Sequence, residues 1–219
     1  VNIVALHGFL GTGRDWDAVR AAGPAGAEWI CPDLFAPGED QAVPPPGGPA
    51  WLVGYSYGAR LALRWLADDP RRWHGALLLS VNPGNFQTES ERAARRASDA
   101  RWADLFRSAA WPDLLAQWQA QKVLAGGPAP ERNERDFDRA KLVRGLEEFS
   151  VAGQFTDPAR LPESLLWLAG GRDERFACLL GRMREAGFPG TFDTVQGAGH
   201  RLLHEAPEAV GAGLARLTS

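Results

Sequence analysis

The chain has 219 residues, 45% of them hydrophobic and 23% charged, with 24 Lys and Arg against 27 Asp and Glu for a net charge of −3. That length and balance suit one globular domain with a full hydrophobic core; they exclude a wholly disordered chain and give no pervasive field for nucleic acid. Cys31 and Cys178 are too few for a disulfide scaffold and stand in no metal-ligand spacing, so a reducing, cytoplasmic setting with no metal or cofactor is expected.

The sequence opens on an apolar run at 1–6 with no basic leader, so no secretory or transit peptide is expected. The longest apolar runs, 76–81 and 164–169, fall far short of the ~20 residues of a membrane span. In chain order, short apolar runs at 2–6, 29–31, 51–54, 75–80, 165–169 and 191–195 read as buried strands. Segments 15–22, 58–68, 177–185 and 207–217, with apolar residues every three or four positions, read as helices. Their alternation predicts an α/β fold: a mostly parallel sheet of about six strands, flanked by helices on both faces. Segment 40–50 holds Pro44, Pro45, Pro46 and Pro49 with Gly47 and Gly48, and reads as a plain connector where a crossover helix would be expected. From about 88 to 149 the sequence turns charged and helix-favouring while carrying Trp102, Phe106, Trp111, Leu115, Trp118, Leu124 and Phe137. This predicts a helical lid inserted into a single domain, its aromatic residues packed as the underside, with a turn at 126–130.

Gly54-Tyr55-Ser56-Tyr57-Gly58 follows one predicted strand and opens a predicted helix. A turn this sharp strains its central residue, needs glycines two positions to either side so that neighbouring chain can pass, and leaves the serine hydroxyl exposed. A serine hydroxyl is a weak nucleophile and base at neutral pH; it needs an imidazole to take its proton and a carboxylate to orient that imidazole. Asp173 and His200 each follow the end of a predicted strand and are assigned those parts, in the order Ser56, Asp173, His200. Donors to a developing oxyanion are assigned to the backbone N–H groups of Phe9, in the loop His7-Gly8-Phe9-Leu10-Gly11, and of Tyr57 at a helix start. Plainer roles compete: an inert hydroxyl for Ser56, a helix cap for Asp173, an ordinary loop histidine for His200. His7, His74 and His204 are assigned no chemistry.

Taken together these motifs make the whole chain resemble an α/β hydrolase, a fold that hosts many reactions. More specifically it resembles the 2-succinyl-6-hydroxy-2,4-cyclohexadiene-1-carboxylate (SHCHC) synthases, the MenH family of menaquinone biosynthesis. The residues that carry this are Arg60, four past the serine of the elbow, and Asn82-Pro83-Gly84 leading into the arginine-rich run 91–99. Trp102, Trp118 with Val123 and Leu124, Gly153-Gln154, and Gly171-Arg172-Asp173-Glu174-Arg175-Phe176 continue it; Phe155 stands where the family usually has proline.

The resemblance implies a carbon–oxygen lyase that eliminates pyruvate from 2-succinyl-5-enolpyruvyl-6-hydroxy-3-cyclohexene-1-carboxylate, with Ser56 abstracting a ring proton and no acyl-enzyme. It implies a pocket for a small anionic carboxylate substrate, formed by Tyr55, Arg60, Arg95 and Trp118. A third family arginine has two candidates here, Arg132 and Arg135. On the residues alone, the arginines from 92 to 101 read as a solvated face balanced by Glu89, Glu91 and Asp99, and only the resemblance raises Arg95 to a ligand. The alternatives are a small carboxylesterase or thioesterase acting through an acyl-serine, and a catalytically silent binding module. A monomer or weak homo-oligomer is expected, with no nucleic acid and no membrane span.

Overall fold

A computed structural model describes residues 1–38, 49–125 and 127–219. The proline-rich connector therefore lies almost wholly outside the described residues, as does the first residue of the turn at 126–130. The strands are β1 (Asn2–Leu6), β2 (Glu28–Ile30), β3 (Ala50–Tyr55), β4 (Trp73–Leu79), β5 (Leu165–Gly170) and β6 (Thr191–Val195). They form one sheet in the order β2-β1-β3-β4-β5-β6, and every neighbouring pair is parallel.

The continuous apolar runs are explained by burial on both faces. Val4, Leu6, Leu52, Leu78 and Trp167 point to one side, against α2 (Tyr57–Asp68) and α6 (Glu174–Glu185). Ile3, Ala5, Val53, Leu77 and Leu168 point to the other, against α1 (Asp17–Ala22) and α8 (Pro207–Thr218). The helix expected over 15–22 is split, because a 3-10 turn at Gly13–Trp16, capped reciprocally by Thr12 and Asp15, precedes α1. Helix α6 starts three residues earlier than its apolar periodicity, since Asp173 caps it at Glu174. A short helix, α7 (Leu202–Glu205), was not anticipated.

Between β4 and β5 the chain forms α3 (Glu89–Ser108), α4 (Trp111–Gln119) and α5 (Arg139–Glu147). Helix α3 opens on a capping box in which Thr88 and Glu91 satisfy each other's backbone N–H. Trp102, Phe106, Trp111 and Phe137 are buried in a third core, where they meet Leu10, Phe35 and Tyr57 from the sheet side. Leu115 and Trp118 pack at its edge. Strand order reverses at β1, with β2 on one side and β3 on the other, and the crevice outside the strand C-termini at such a point is where open α/β sheets hold ligands. Among the described residues no helix is long and apolar enough to cross a membrane.

Candidate active site

Ser56 sits between β3 and α2 at φ 52, ψ −106, a conformation that L residues avoid. Its N–H donates to the Leu79 carbonyl at 2.9 Å and its carbonyl accepts from Arg60 N–H at 3.1 Å, so both neighbouring elements hold the strained residue in place. A Cβ on Gly58 would lie 2.1 Å from the Leu6 carbonyl oxygen, and one on Gly54 2.5 Å from Ala59 Cα. Both glycines of the elbow are therefore required by close chain passage.

His200 lies between Asp173 and Ser56: Nδ1 is 2.7 Å from Asp173 Oδ2 and Nε2 is 3.4 Å from Ser56 Oγ. With Nδ1–H donating to the carboxylate, Nε2 is left to accept the serine proton, through a bond whose length is common in ligand-free sites. Asp173 also caps α6, its Oδ1 accepting from Phe176 N–H at 3.4 Å, so the helix-cap reading and the imidazole-orienting geometry hold at once. The Phe176 ring lies 4.7 Å from the imidazole and the Tyr55 ring 5.7 Å from it. Glu205 pins the histidine loop, accepting from Gly199 N–H at 2.7 Å, Arg201 N–H at 3.0 Å and Arg172 Nη2 at 2.7 Å. Sequence reading missed Glu205; no motif marks it, and its only signal is a lone carboxylate after a glycine-rich loop.

The loop after β1 is ordered by buried His7, whose Nδ1 donates to the Gly8 carbonyl at 2.8 Å and whose Nε2 accepts from Leu34 N–H at 2.9 Å. Accepting at Nε2 requires a neutral ring, and burial pushes the His7 pKa down accordingly. Phe9 follows in this loop and Tyr57 is the first residue of α2, where no intrahelical carbonyl claims the N–H. Both line one cavity with Ser56 and His200.

That cavity has a volume of about 160 Å³ and is also lined by Tyr55, Arg60, Arg95 and Trp118. Ser80, Asn82, Gln121, Arg175 and Phe176 share the lining and were not singled out as site residues. Arg60 donates to the Phe149 carbonyl and lies 5.1 Å over the Tyr57 ring. Burial, reinforced by the Arg95 charge, pushes the Arg60 pKa down to about 10, while burial pushes Tyr57 up to about 12. Arg95 is oriented by Asp99, its Nε and Nη2 each 2.9 Å from a carboxylate oxygen. Asp99 is buried and also accepts from Ser150 Oγ at 2.6 Å. Trp118 lies 4.9 Å from both the Phe9 and the Trp102 rings.

The rest of the arginine run disperses: Arg92 donates to the Gly84 and Ala152 carbonyls, Arg96 pairs with Glu89, and Arg101 lies over Trp102. Neither candidate for the third arginine lines this cavity. Arg132 is committed to Asp15 through contacts of 2.8 and 2.7 Å in a buried pair, and Arg135 is 85% exposed. Among the described residues, no three His, Cys, Asp or Glu side chains converge to hold a metal ion.

The sequence matches the alpha/beta hydrolase family over residues 3–212. The 2-succinyl-6-hydroxy-2,4-cyclohexadiene-1-carboxylate synthase of Salmonella agona (strain SL483) is 30% identical over 246 aligned positions, which span 99% of this chain and 93% of that protein. The solved structure of MenH from S. aureus superposes with a TM-score of 0.82 at 20% identity, covering 100% of this chain and 94% of that one. A carboxylesterase structure from Nitrososphaera gargenis gives 0.70 at 13% identity, covering 99% and 90%. At those identities the two structural likenesses speak for the fold alone, whereas the full-length sequence relation goes further. An elbow serine, a histidine and a carboxylate meeting at the strand ends of this sheet thus belong to an enzyme of the α/β-hydrolase fold, and the chain is a member of the SHCHC synthase family.

Proposed function

We propose that this chain eliminates pyruvate from 2-succinyl-5-enolpyruvyl-6-hydroxy-3-cyclohexene-1-carboxylate in menaquinone synthesis, with Ser56, His200 and Asp173 as its proton-transfer system. The observation that carries the reading is the company the serine keeps: Ser56 and His200 share one cavity with Arg60 and Arg95, and among the described residues no carboxylate lines it. A substrate with three carboxylates needs such a lining; a neutral ester does not.

In this mechanism His200 takes the Ser56 proton as the serine oxygen removes the ring proton beside the succinyl ketone. The released electron pair forms a new ring double bond, the existing one shifts by one position, and the ring carbon–oxygen bond to the enolpyruvyl group breaks. The leaving enolate takes a proton from the His200 imidazolium and becomes pyruvate. Asp173 holds the imidazole in the required tautomer and stabilises its charged form. Negative charge that builds on the ketone oxygen is received by the Phe9 and Tyr57 N–H groups. Arg60, Arg95 and Tyr55 orient the substrate beneath Trp118, and the segment between β4 and β5 serves as the lid.

The test couples pyruvate formation to lactate dehydrogenase with the enolpyruvyl cyclohexene as substrate. Wild type is expected to release pyruvate, Ser56→Ala to lose at least about 10³-fold in rate, and Arg95→Ala to lose a few kcal/mol of transition-state stabilisation. Absence of pyruvate from the wild type, with burst turnover of an aryl ester through an acyl-serine, would replace this reading with the esterase.

A further inference from the structure

Three arginines, not two, line the catalytic cavity, and no Asp or Glu stands among the lining residues to balance them. They come from three elements: Arg60 from α2, Arg95 from α3 and Arg175 from the first turn of α6. Arg95 has its own counterion in Asp99, but the other two do not. Arg60 donates to a backbone carbonyl, lies over the Tyr57 ring and feels the Asp99 charge, with no ion pair among the described residues. Arg175 makes no ion pair among the described residues. Glu91 feels its charge without being paired to it, and the guanidinium lies 5.9 Å from the centroid of the Phe176 ring.

Arg175 stands in the first turn of α6 beside Glu174 and the Asp173 cap, whose carboxylates suit the helix dipole there and offset the added cation. Its placement makes sense for a ligand. Asp173, two residues earlier, holds His200, and Phe176, one residue later, packs on the imidazole at 4.7 Å. Arg175 is an exposed side chain that α6 brings to the lining of the same cavity as Ser56, with the planar, five-donor fork that carboxylates prefer. Arg132 cannot take this part, because Asp15 already holds it in a buried pair, and Arg135 lies outside the cavity.

We propose that Arg175 is a substrate-binding residue, the third guanidinium of a tricarboxylate-binding cavity completed by Arg60 and Arg95. The inference rests on the proposed reaction only for the identity of the natural ligand; the charge imbalance of the cavity stands without it.

The experiment titrates the full chain with tricarballylate and with succinate by calorimetry, in wild type, Arg175→Gln, Arg175→Lys and the distant Arg20→Gln. Tricarballylate affinity is expected to fall about 10-fold in Arg175→Gln, to recover in part in Arg175→Lys and to stay unchanged in Arg20→Gln, while succinate affinity changes by less than about 2-fold. In the pyruvate-release assay Arg175→Gln is expected to raise KM about 10-fold with kcat held within about 2-fold. Equal tricarballylate binding by wild type and Arg175→Gln, or none by wild type, overturns the assignment. The outcomes separate the two proposals. Pyruvate release with an unchanged KM in Arg175→Gln sinks the role of Arg175 alone. The expected calorimetry without pyruvate release leaves Arg175 as an anion ligand and sinks the reaction.

Discussion

His7 illustrates how a residue without chemistry of its own can govern a site. Its ring is fully buried, and its two nitrogens bond in opposite senses, donating to Gly8 and accepting from Leu34. Burial therefore holds its folded pKa below the ordinary value of 6.5. Between the two values the unfolded chain binds the proton and the folded chain does not, so stability is full above about 6.5 and declines as the pH falls toward the depressed folded value. Urea unfolding is expected to give a lower unfolding free energy at pH 5 than at pH 7, and His7→Gln a shallower slope over that range. An unchanged slope would show that His7 titrates alike in both states. Burial also lowers the His204 pKa, with the same sign, so part of the slope survives the substitution. At this scale the sequence was most readable where chemistry restricts residue type. The meeting of Ser56, Asp173 and His200 was legible because few side chains suit such a constellation and because the turn at Ser56 demands Gly54 and Gly58. The partners of Arg95 and Arg132 could not be found, since a guanidinium looks the same in sequence whether it meets Asp99, Asp15 or a ligand.

Among elements, the buried Arg132–Asp15 pair ties the segment between β4 and β5 to the turn that follows the Phe9 loop. The two side chains are only 10% and 7% exposed, and Asp15 also accepts from Thr12 N–H at 3.2 Å. Removing one partner strands a buried charge, so Arg132→Met is expected to lose about 3 kcal/mol of stability, and Asp15→Asn with Arg132→Met together to lose less than the sum of the singles. A double-mutant cycle by urea unfolding measures this, and strict additivity would refute the coupling. Such pairings also explain where element boundaries were hard to read. The buried strands of the sheet were legible because their apolar runs are dictated by two covered faces. The course of residues 127–138 was not, because it follows from individual long-range bonds such as Arg201 to the Pro128 carbonyl and Asp138 N–H to the Phe35 carbonyl. The start of α6 is set by Asp173 as its cap at the position before Glu174, a signal that apolar spacing does not carry.

For the whole molecule, a net charge of −3 coexists with a catalytic cavity lined by three arginines. Bulk composition hid this polarity, since a count of charges carries no positions. Capture of an anionic substrate by such a cavity against a negative background is sensitive to screening. Between about 10 mM and about 150 mM salt, as the Debye length shrinks from roughly 30 to roughly 8 Å, kcat/KM for the proposed tricarboxylate substrate is expected to fall about 3- to 10-fold. Stopped-flow or steady-state rates across that range check it, and a flat profile would argue against electrostatic capture. The parallel sheet adds a practical corollary. All candidate catalytic groups follow strand C-termini, whereas Val1, 57% exposed, precedes the N-terminal end of β1. A label or a tether to a bead placed on this rim, as at exposed Glu28 at the start of β2, would thus meet the molecule a strand's length from the cavity mouth, leaving access for small reactants unobstructed.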